Sequence, residues 1–184
     1  MATAATDSLT IEQFAEIAGD AETRTELVGG VLVEMPRPKF PHGRIVLAIG
    51  AIFLAWQRRH GGEIGSEDGI VIDDQTLRGP DVYYIPADRV DADARREGWW
   101  TVAPAVCVEV ISPSELWSDI DAKLDDYFRI GVDEVWVIDP ELRSLRLFTR
   151  EGATRSLRGA DAIPTKAMAG LDATVADLFD GIEA

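Results

Sequence analysis

Two apolar runs separated by a helix-length segment constrain the fold of this chain more than any other feature. Residues 105–111 (AVCVEVI) are apolar and largely β-branched on both faces, which is typical of a central strand. The next segment, about residues 118–130, has apolar residues at helical spacing, and Gly131 ends it before a second buried strand, DEVWVIDP. A strand, a helix and a strand within about thirty residues predict a right-handed crossover between parallel neighbours.

Shorter elements flank this unit. A capping box that begins at Thr10 predicts a short helix, Gly29-Gly30 between two strand-like runs predicts a hairpin, and residues 45–56 predict a buried helix. The sequences EIGSED, GIVIDD and RGPDVYYIP predict three short strands. RSLRLFTR predicts a partner for the DEVWVIDP strand, and the C-terminal part adds a weak strand and a short helix over residues 174–179.

Together these elements predict an α/β (α+β) fold with a central mixed β-sheet flanked by helices. We expect one domain over residues 1–184, because the length suits a single core and no linker or repeat interrupts the pattern. Residues 1–8 are expected to be a frayed terminus.

The charge balance limits the partners of the protein. The 184 residues include 33 acidic and 18 basic side chains, and the formal net charge is −15. This charge argues against broad attraction to phosphate backbones or anionic lipid. Any contact with nucleic acid must therefore be local or helped by metal ions.

Two further features predict a cytoplasmic protein with no membrane span. The N-terminus lacks the basic and apolar regions of a secretory signal, and the long apolar run has only 12 residues, short of the roughly 20 that span a bilayer. The single cysteine, Cys107, excludes a disulfide scaffold and is expected to be a small core residue.

Glu109 is the most informative side chain, because it interrupts the best strand of the protein. A carboxylate in such an apolar run is costly to bury unless it is paired or binds a cation. If the strand that contains Asp81 is its neighbour, two hard oxygen ligands meet and predict a magnesium or manganese site. Zinc is disfavoured, because one Cys and two His offer no suitable ligand spacing.

Three other polar side chains have simple structural explanations beside functional ones. Lys123 has Asp119 and Asp126 at ion-pair spacing, which by itself explains it as a surface lysine. Glu26, just before the hairpin turn, is explained as a solvated charge. His42, immediately before the apolar helix, could contact a phosphate or a metal, or could cap or pack against the helix start.

These residues carry a resemblance to a known family. GPDVYYIP, VCVEVISPS, the Lys123 helix with Tyr127, and GVDEVWVIDP, together with TELVGGVLVEMP and the following His42, resemble the Uma-two family of endonucleases. That family belongs to the PD-(D/E)XK restriction-endonuclease-like superfamily. The similarity spans roughly residues 9–150 and implies a restriction-endonuclease-like core.

By position, the resemblance implies that Asp81 and Glu109 are the catalytic, metal-binding acids, with Glu26 as a further metal ligand. The superfamily's usual lysine would lie two residues after the Glu, where this chain has Ile111. The family is similar in carrying its lysine on the next helix, which makes Lys123 the matching catalytic residue.

The implied reaction is hydrolysis of phosphodiester bonds, in DNA rather than RNA. An Mg²⁺ or Mn²⁺ cofactor on the carboxylates would polarise the phosphate and acidify a bound water. Lys123 would orient that water or neutralise charge on the phosphate. His42 and Arg44 are the candidates for phosphate contact.

Two other functions stay open at this point. A non-catalytic interaction module on the same scaffold would use the acidic surface, and its Asp81, Glu109 and Lys123 side chains need not converge. A metal-dependent phosphohydrolase of small nucleotides would suit an acidic protein better than a nuclease does.

Residues 87–104 are polar and are expected to form a long loop or a small helical insertion. Trp99-Trp100 at its end is expected to be exposed, and many nucleases of this fold dimerise to cut two strands. The pair is therefore our candidate surface for a homodimer.

Overall fold

The computed structural model describes residues 8–18, 25–35, 37–96, 98–113 and 115–182. Its helices are α1 (Ile11–Ala18), α2 (His42–His60) and α3 (Trp117–Ile130), with short 3-10 helices at Ala87–Arg89 and Ala176–Phe179. Its strands are β1 (Thr25–Val28), β2 (Val31–Glu34), β3 (Glu63–Gly65), β4 (Ile70–Asp73), β5 (Thr76–Arg78), β6 (Val82–Ile85), β7 (Arg95–Arg96), β8 (Trp99–Trp100), β9 (Val106–Val110), β10 (Glu134–Asp139), β11 (Ser144–Thr149) and β12 (Thr154–Arg158).

The strands of the described residues form two six-stranded mixed sheets. The core sheet has the order β12-β11-β10-β9-β6-β3, and the second sheet has the order β2-β1-β5-β4-β8-β7. In the core sheet β9 and β10 run parallel, with Val108 opposite Trp136, while β6 and β11 run antiparallel to their neighbours. The predicted parallel crossover through α3 and the central mixed sheet flanked by helices are therefore confirmed.

The central strands β6, β9 and β10 of the core sheet are buried on both faces, and each face packs on a different helix. Val106, Val108 and Val110 of β9 point towards α2, whose Ile45, Ile49 and Phe53 are fully buried in the same cluster. Cys107 lies on the other face, with the buried residues of α3. Burying each large aliphatic side chain stabilises the fold by about 1.5–3 kcal/mol. The alternation along β9 fixes which face Glu109 occupies.

The inner face of α3 explains how that helix docks. Ile120, Lys123, Leu124 and Tyr127 recur at i, i+3, i+4 and i+7 and are all buried. Gly131 follows the helix in the left-handed conformation, with φ of 102°, as the glycine stop predicts. Across the described ranges, no helix is long and apolar enough to cross a membrane.

The N-terminal elements also match their sequence signals. The Thr10 N–H donates to the Gln13 side chain at 2.9 Å, and the Gln13 N–H donates to the Thr10 hydroxyl at 3.4 Å, which confirms the capping box. The hairpin around Gly29-Gly30 is confirmed, since Val28 pairs with Val31. His42 is the first residue of α2 rather than the residue before it.

Two predictions for residues 87–104 are wrong. This segment contains a short 3-10 helix and a small hairpin of β7 and β8 that extends the second sheet, instead of a plain loop or helical insertion. Trp100 is buried and its indole N–H donates to the Tyr83 hydroxyl at 2.6 Å, while Trp99 stacks on Phe14. The pair is thus largely occupied within the chain and is no longer our candidate dimer surface.

Candidate active site

Glu109 lies deep in the protein, on the α3 face of the core sheet. It is 3% exposed, and Val137 of β10 is its neighbour on the parallel side. The Lys123 ammonium donates to Glu109 Oε2 at 2.7 Å, and the Tyr127 hydroxyl donates to Glu109 Oε1 at 2.6 Å. The expected cost of burying this carboxylate is therefore offset by two donors from one helix, one of them charged.

Lys123 reaches Glu109 because it shares the buried face of α3. It is 6% exposed, and its ammonium also donates to Glu115 Oε1 at 3.0 Å. The alternative explanation of Lys123 as a surface lysine paired with Asp119 and Asp126 is therefore wrong. Asp126 instead accepts hydrogen bonds from arginine side chains.

Asp81 lies just before β6, beside the end of β9 that carries Glu109. The antiparallel register pairs Val82 with Val108, and one further step of that register sets Asp81 across from Glu109. Asp81 is 4% exposed, and its Oδ2 accepts the backbone N–H of Val110 at 2.7 Å. Strand pairing thus brings the two acids to one place, as the sequence predicts.

His42 joins Asp81 from the start of α2. Its Nε2 lies 3.3 Å from Asp81 Oδ2, so the imidazole contacts a carboxylate of the site. Arg44, the other candidate for phosphate contact, is exposed, and its guanidinium donates to the Asp180 carbonyl at 3.3 Å. The structure therefore brings His42 into the site and leaves Arg44 on the surface, two residues further along α2.

Glu26 is buried rather than solvated, because an arginine and a backbone amide bind it. Arg78 NH1 lies 3.0 Å from Glu26 Oε2, and the Gly79 N–H donates to Glu26 Oε1 at 3.0 Å. The other arm of Arg78 pairs with Asp126 at 2.7 Å. Both Glu26 oxygens accept hydrogen bonds in this arrangement, and the charge of Glu26 also helps to raise the pKa of Glu109. The role of Glu26 as a further metal ligand stays a prediction.

The electrostatics of the cluster set its protonation. Burial raises the pKa of Glu109 to about 7, with the charges of Asp81 and Glu26 adding to the effect and Lys123 opposing it. Burial alone would lower the pKa of Lys123, but the carboxylates of Glu109, Glu26 and Glu115 raise it above its usual range. Burial likewise raises the pKa of Tyr127 well above its usual value. Lys123 therefore stays charged and Tyr127 neutral, and both act as donors.

The donor chemistry fits a divalent cation at Asp81 and Glu109. Carboxylate oxygens are the ligands that magnesium and manganese prefer, and a cation there would relieve the repulsion from Asp81 that adds to the effect of burial on the Glu109 pKa. Among the described residues, no group of three or more His, Cys, Asp or Glu side chains is arranged to hold a metal ion. A cation at this pair would therefore need oxygens from water or from a substrate phosphate.

Tyr127 was not among the predicted site residues, although its position carried a signal. It lies four residues after Lys123, and residues at that spacing share one face of a helix. Glu115 was also missed; it precedes α3 and becomes a partner of Lys123 only through the turn that follows β9. The sequence offers no comparable signal for the Glu26–Arg78 pair, whose members lie 52 residues apart.

Removing the Tyr127 hydroxyl should destabilise the protein but leave it folded. In Tyr127→Phe, Glu109 loses one of two donors, so we expect a loss of about 1–3 kcal/mol in the free energy of unfolding, measured by urea denaturation. Tyr84→Phe, on the opposite face of the core sheet, is the matched control. Wild-type stability in Tyr127→Phe would contradict this role.

The mixed core sheet, with paired acids and a buried lysine at one end of β9, defines a protein of the restriction-endonuclease-like fold. A model of the Uma2 family, described as “Putative restriction endonuclease”, matches residues 11–176. The chain belongs to this family, in agreement with the resemblance drawn from its motifs. Membership of this family supports the classification of the protein as a nuclease, which is a hydrolase that acts on phosphodiester bonds.

A solved structure shares the fold. A crystallised protein from Anabaena variabilis, described as “a putative nuclease”, superposes with a TM-score of 0.78. It is 19% identical in sequence, and the match covers 93% of this chain and 97% of the other. No curated protein matches the chain in a sequence search.

Proposed function

We propose that the protein is a metal-dependent nuclease that hydrolyses phosphodiester bonds in DNA. The observation that carries this proposal is the buried Lys123–Glu109 pair, with Nζ and Oε2 2.7 Å apart, beside the carboxylate of Asp81. An interaction module would not need these three side chains to converge. A buried ion pair also adds little net stability compared with an apolar pair, which favours a functional reason for its presence.

In the proposed mechanism, Asp81 and Glu109 would hold a magnesium or manganese ion. Such an ion, when bound, supplies a Lewis acid for the phosphate and lowers the pKa of water. Lys123 holds Glu109 in place and keeps a positive charge beside the reacting phosphate. Tyr127 fixes the second oxygen of Glu109, and His42 positions the Asp81 carboxylate from the start of α2.

Manganese titration tests the site separately from the reaction. Isothermal titration calorimetry of the wild type should show saturable Mn²⁺ binding, and Asp81→Ala should lose it because a ligand oxygen is removed. Asp177→Ala, which removes an exposed carboxylate that accepts hydrogen bonds from Thr174 near the C-terminus, should bind Mn²⁺ as the wild type does. Equal Mn²⁺ binding by wild type and Asp81→Ala would contradict the assignment of the metal site.

Cleavage itself is tested with plasmid, linear and single-stranded DNA. We expect cleavage with Mg²⁺ or Mn²⁺ and none in excess chelator. No cleavage of any DNA form with either metal would contradict the proposal. Hydrolysis of nucleotides in place of DNA would support the phosphohydrolase that the net charge of −15 favours.

A further inference from the structure

The basic part of the chain adjoins the candidate active site. Residues 35–62 contain five Arg or Lys and no Asp or Glu, although the whole chain has 33 acidic residues. Arg37, Lys39 and Arg44 are exposed and flank His42, which contacts Asp81. A polyanion that reaches the site therefore meets local positive charge in a protein whose net charge is −15.

Phe40 stands in the middle of this basic segment with its ring in solvent. It is 73% exposed, which is more than any other large hydrophobic side chain in the described ranges. A single exposed apolar residue is common on protein surfaces and needs no explanation alone. An exposed ring between Lys39 and the start of α2, next to a site that handles phosphate, has the composition of a surface for single-stranded nucleic acid.

The backbone around Phe40 is held in a fixed turn. The His42 N–H donates to the Lys39 carbonyl at 2.9 Å, and the Arg44 N–H donates to the Pro41 carbonyl at 3.0 Å. Pro38 and Pro41 further restrict the chain on both sides of the ring. Because the segment is already ordered, stacking of a base on Phe40 costs little additional conformational entropy.

The short stretch of chain between Phe40 and His42 limits the distance between a base on Phe40 and a phosphate at the site. Phe40 and His42 are two residues apart, so their Cα atoms are separated by at most about 7.6 Å. That upper limit is about the length of two nucleotides of a stacked strand at roughly 3.4 Å each. A base on Phe40 would therefore lie close to a phosphate held beside Asp81 and His42.

We propose that Phe40 is a stacking platform for an unpaired base, and that Arg37, Lys39 and Arg44 bind the adjoining phosphates of a single-stranded DNA segment. This inference rests on the proposed nuclease function, since it names the substrate form of that site. In a duplex the faces of the bases are covered by their neighbours, so an aromatic ring gains a stacking partner only by unstacking them. Single-stranded or locally unpaired DNA offers those faces directly.

The test measures binding apart from cleavage. Fluorescence anisotropy is recorded with a labelled oligodeoxythymidine of about 20 nucleotides, longer than a typical single-strand site, and with a duplex of equal length. Calcium replaces magnesium as the divalent cation. The wild type should bind the single strand more tightly than the duplex, and its affinity should fall with rising salt.

Variants of Phe40 separate stacking from simple apolar contact. Phe40→Ala and Phe40→Leu should bind the single strand about 5- to 100-fold more weakly, while Phe40→Tyr should stay within about 2-fold of wild type. Duplex binding should not change in any of the three. Arg155→Ala, on the exposed edge strand β12, removes the same charge as Lys39→Ala and should weaken binding less.

Several results would overturn the inference. They are wild-type affinity in Phe40→Leu, equal or tighter binding of the duplex, no binding of DNA, or dissociation of a dimer by Phe40→Ala in size-exclusion chromatography. If the Phe40 variants bind the single strand as the wild type does and DNA is still cleaved, the stacking platform is rejected and the nuclease is not. Phe40-dependent binding without any cleavage under Mg²⁺ or Mn²⁺ rejects the nuclease and leaves a single-strand binding protein.

Discussion

Glu109→Gln is expected to abolish DNA cleavage while the protein stays folded. The carboxylate accepts hydrogen bonds from Lys123 and Tyr127. A glutamine amide keeps the first through its oxygen and replaces the second by donating its N–H to the Tyr127 oxygen. It cannot supply a charged metal ligand. We expect the rate of cleavage to fall by about 10²- to 10³-fold or more, measured by plasmid nicking in Mg²⁺.

A second buried glutamate provides the matched control for this variant. Glu134, at the first residue of β10, is also 3% exposed, and it accepts hydrogen bonds from the Thr165 hydroxyl and the Lys166 and Ala167 N–H groups. Glu134→Gln should lower the thermal midpoint and keep cleavage. If Glu134→Gln and Glu109→Gln lose activity equally, loss of stability rather than loss of the site would explain both.

Lys123→Met is expected to give the largest loss of stability among the site variants. It removes the ammonium from a carboxylate that is almost fully buried, and breaking one half of a buried ion pair costs about 3–5 kcal/mol. Methionine fills similar space, so the loss comes from the broken ion pair rather than from a cavity. Without Lys123 the pKa of Glu109 rises further, and the buried carboxylate must either stay charged without a partner or take up a proton. Urea denaturation at neutral pH measures the change, and cleavage should be lost as well.

The double variant Lys123→Met/Glu109→Gln tests the cause. If the unpaired carboxylate is responsible, neutralising it should recover part of the stability lost in Lys123→Met, and activity should stay absent. Lys166→Met is the control, because that lysine is exposed and its removal should change stability by less than about 0.5 kcal/mol. Strictly additive losses in the double variant would show that the two side chains are not energetically coupled.

The burial of Glu109 could be predicted from the sequence because it follows from the apolar residues next to it in the chain. A charged residue in the middle of an apolar strand indicates a buried charge that needs a partner, whichever strands lie beside it. Glu134 gave no such signal: at the start of its strand it resembles an ordinary solvated residue, and its burial depends on the loop at residues 165–167. The same residue type in two strands was thus predicted at one position and missed at the other.

The sequence contains a pattern that predicts the burial of Lys123, but a second pattern favours a surface ion pair. The spacing of Lys123 from Ile120, Leu124 and Tyr127 puts it on the buried face of α3, yet the acidic residues around it also suit a surface ion pair. Helical periodicity is the stronger argument here, because the three residues at i, i+4 and i+7 fix the buried face, and Lys123 at i+3 shares it. The family resemblance supplied the lysine where the residue-level argument alone favoured the surface.

The second sheet and the Arg78 network could not be predicted from local pattern. Strands β7 and β8 have two residues each, too few to show alternation. Arg78 meets Glu26 and Asp126 across 52 and 48 residues of chain, and such partners follow only from the completed topology. The core sheet, by contrast, was predictable because its central strands are longer and apolar.

The way β6 and β9 bring Asp81 and Glu109 together has a consequence for biosynthesis. The side chains of the site come from segments spread over about 100 residues, so its contacts are non-local and form late in folding. Until β6 has paired with β9 and α3 has docked on the core sheet, Asp81 has no partner strand and Glu109 has neither of its donors. A nascent or partly degraded chain therefore carries no assembled site, and any activity is confined to molecules that have finished folding.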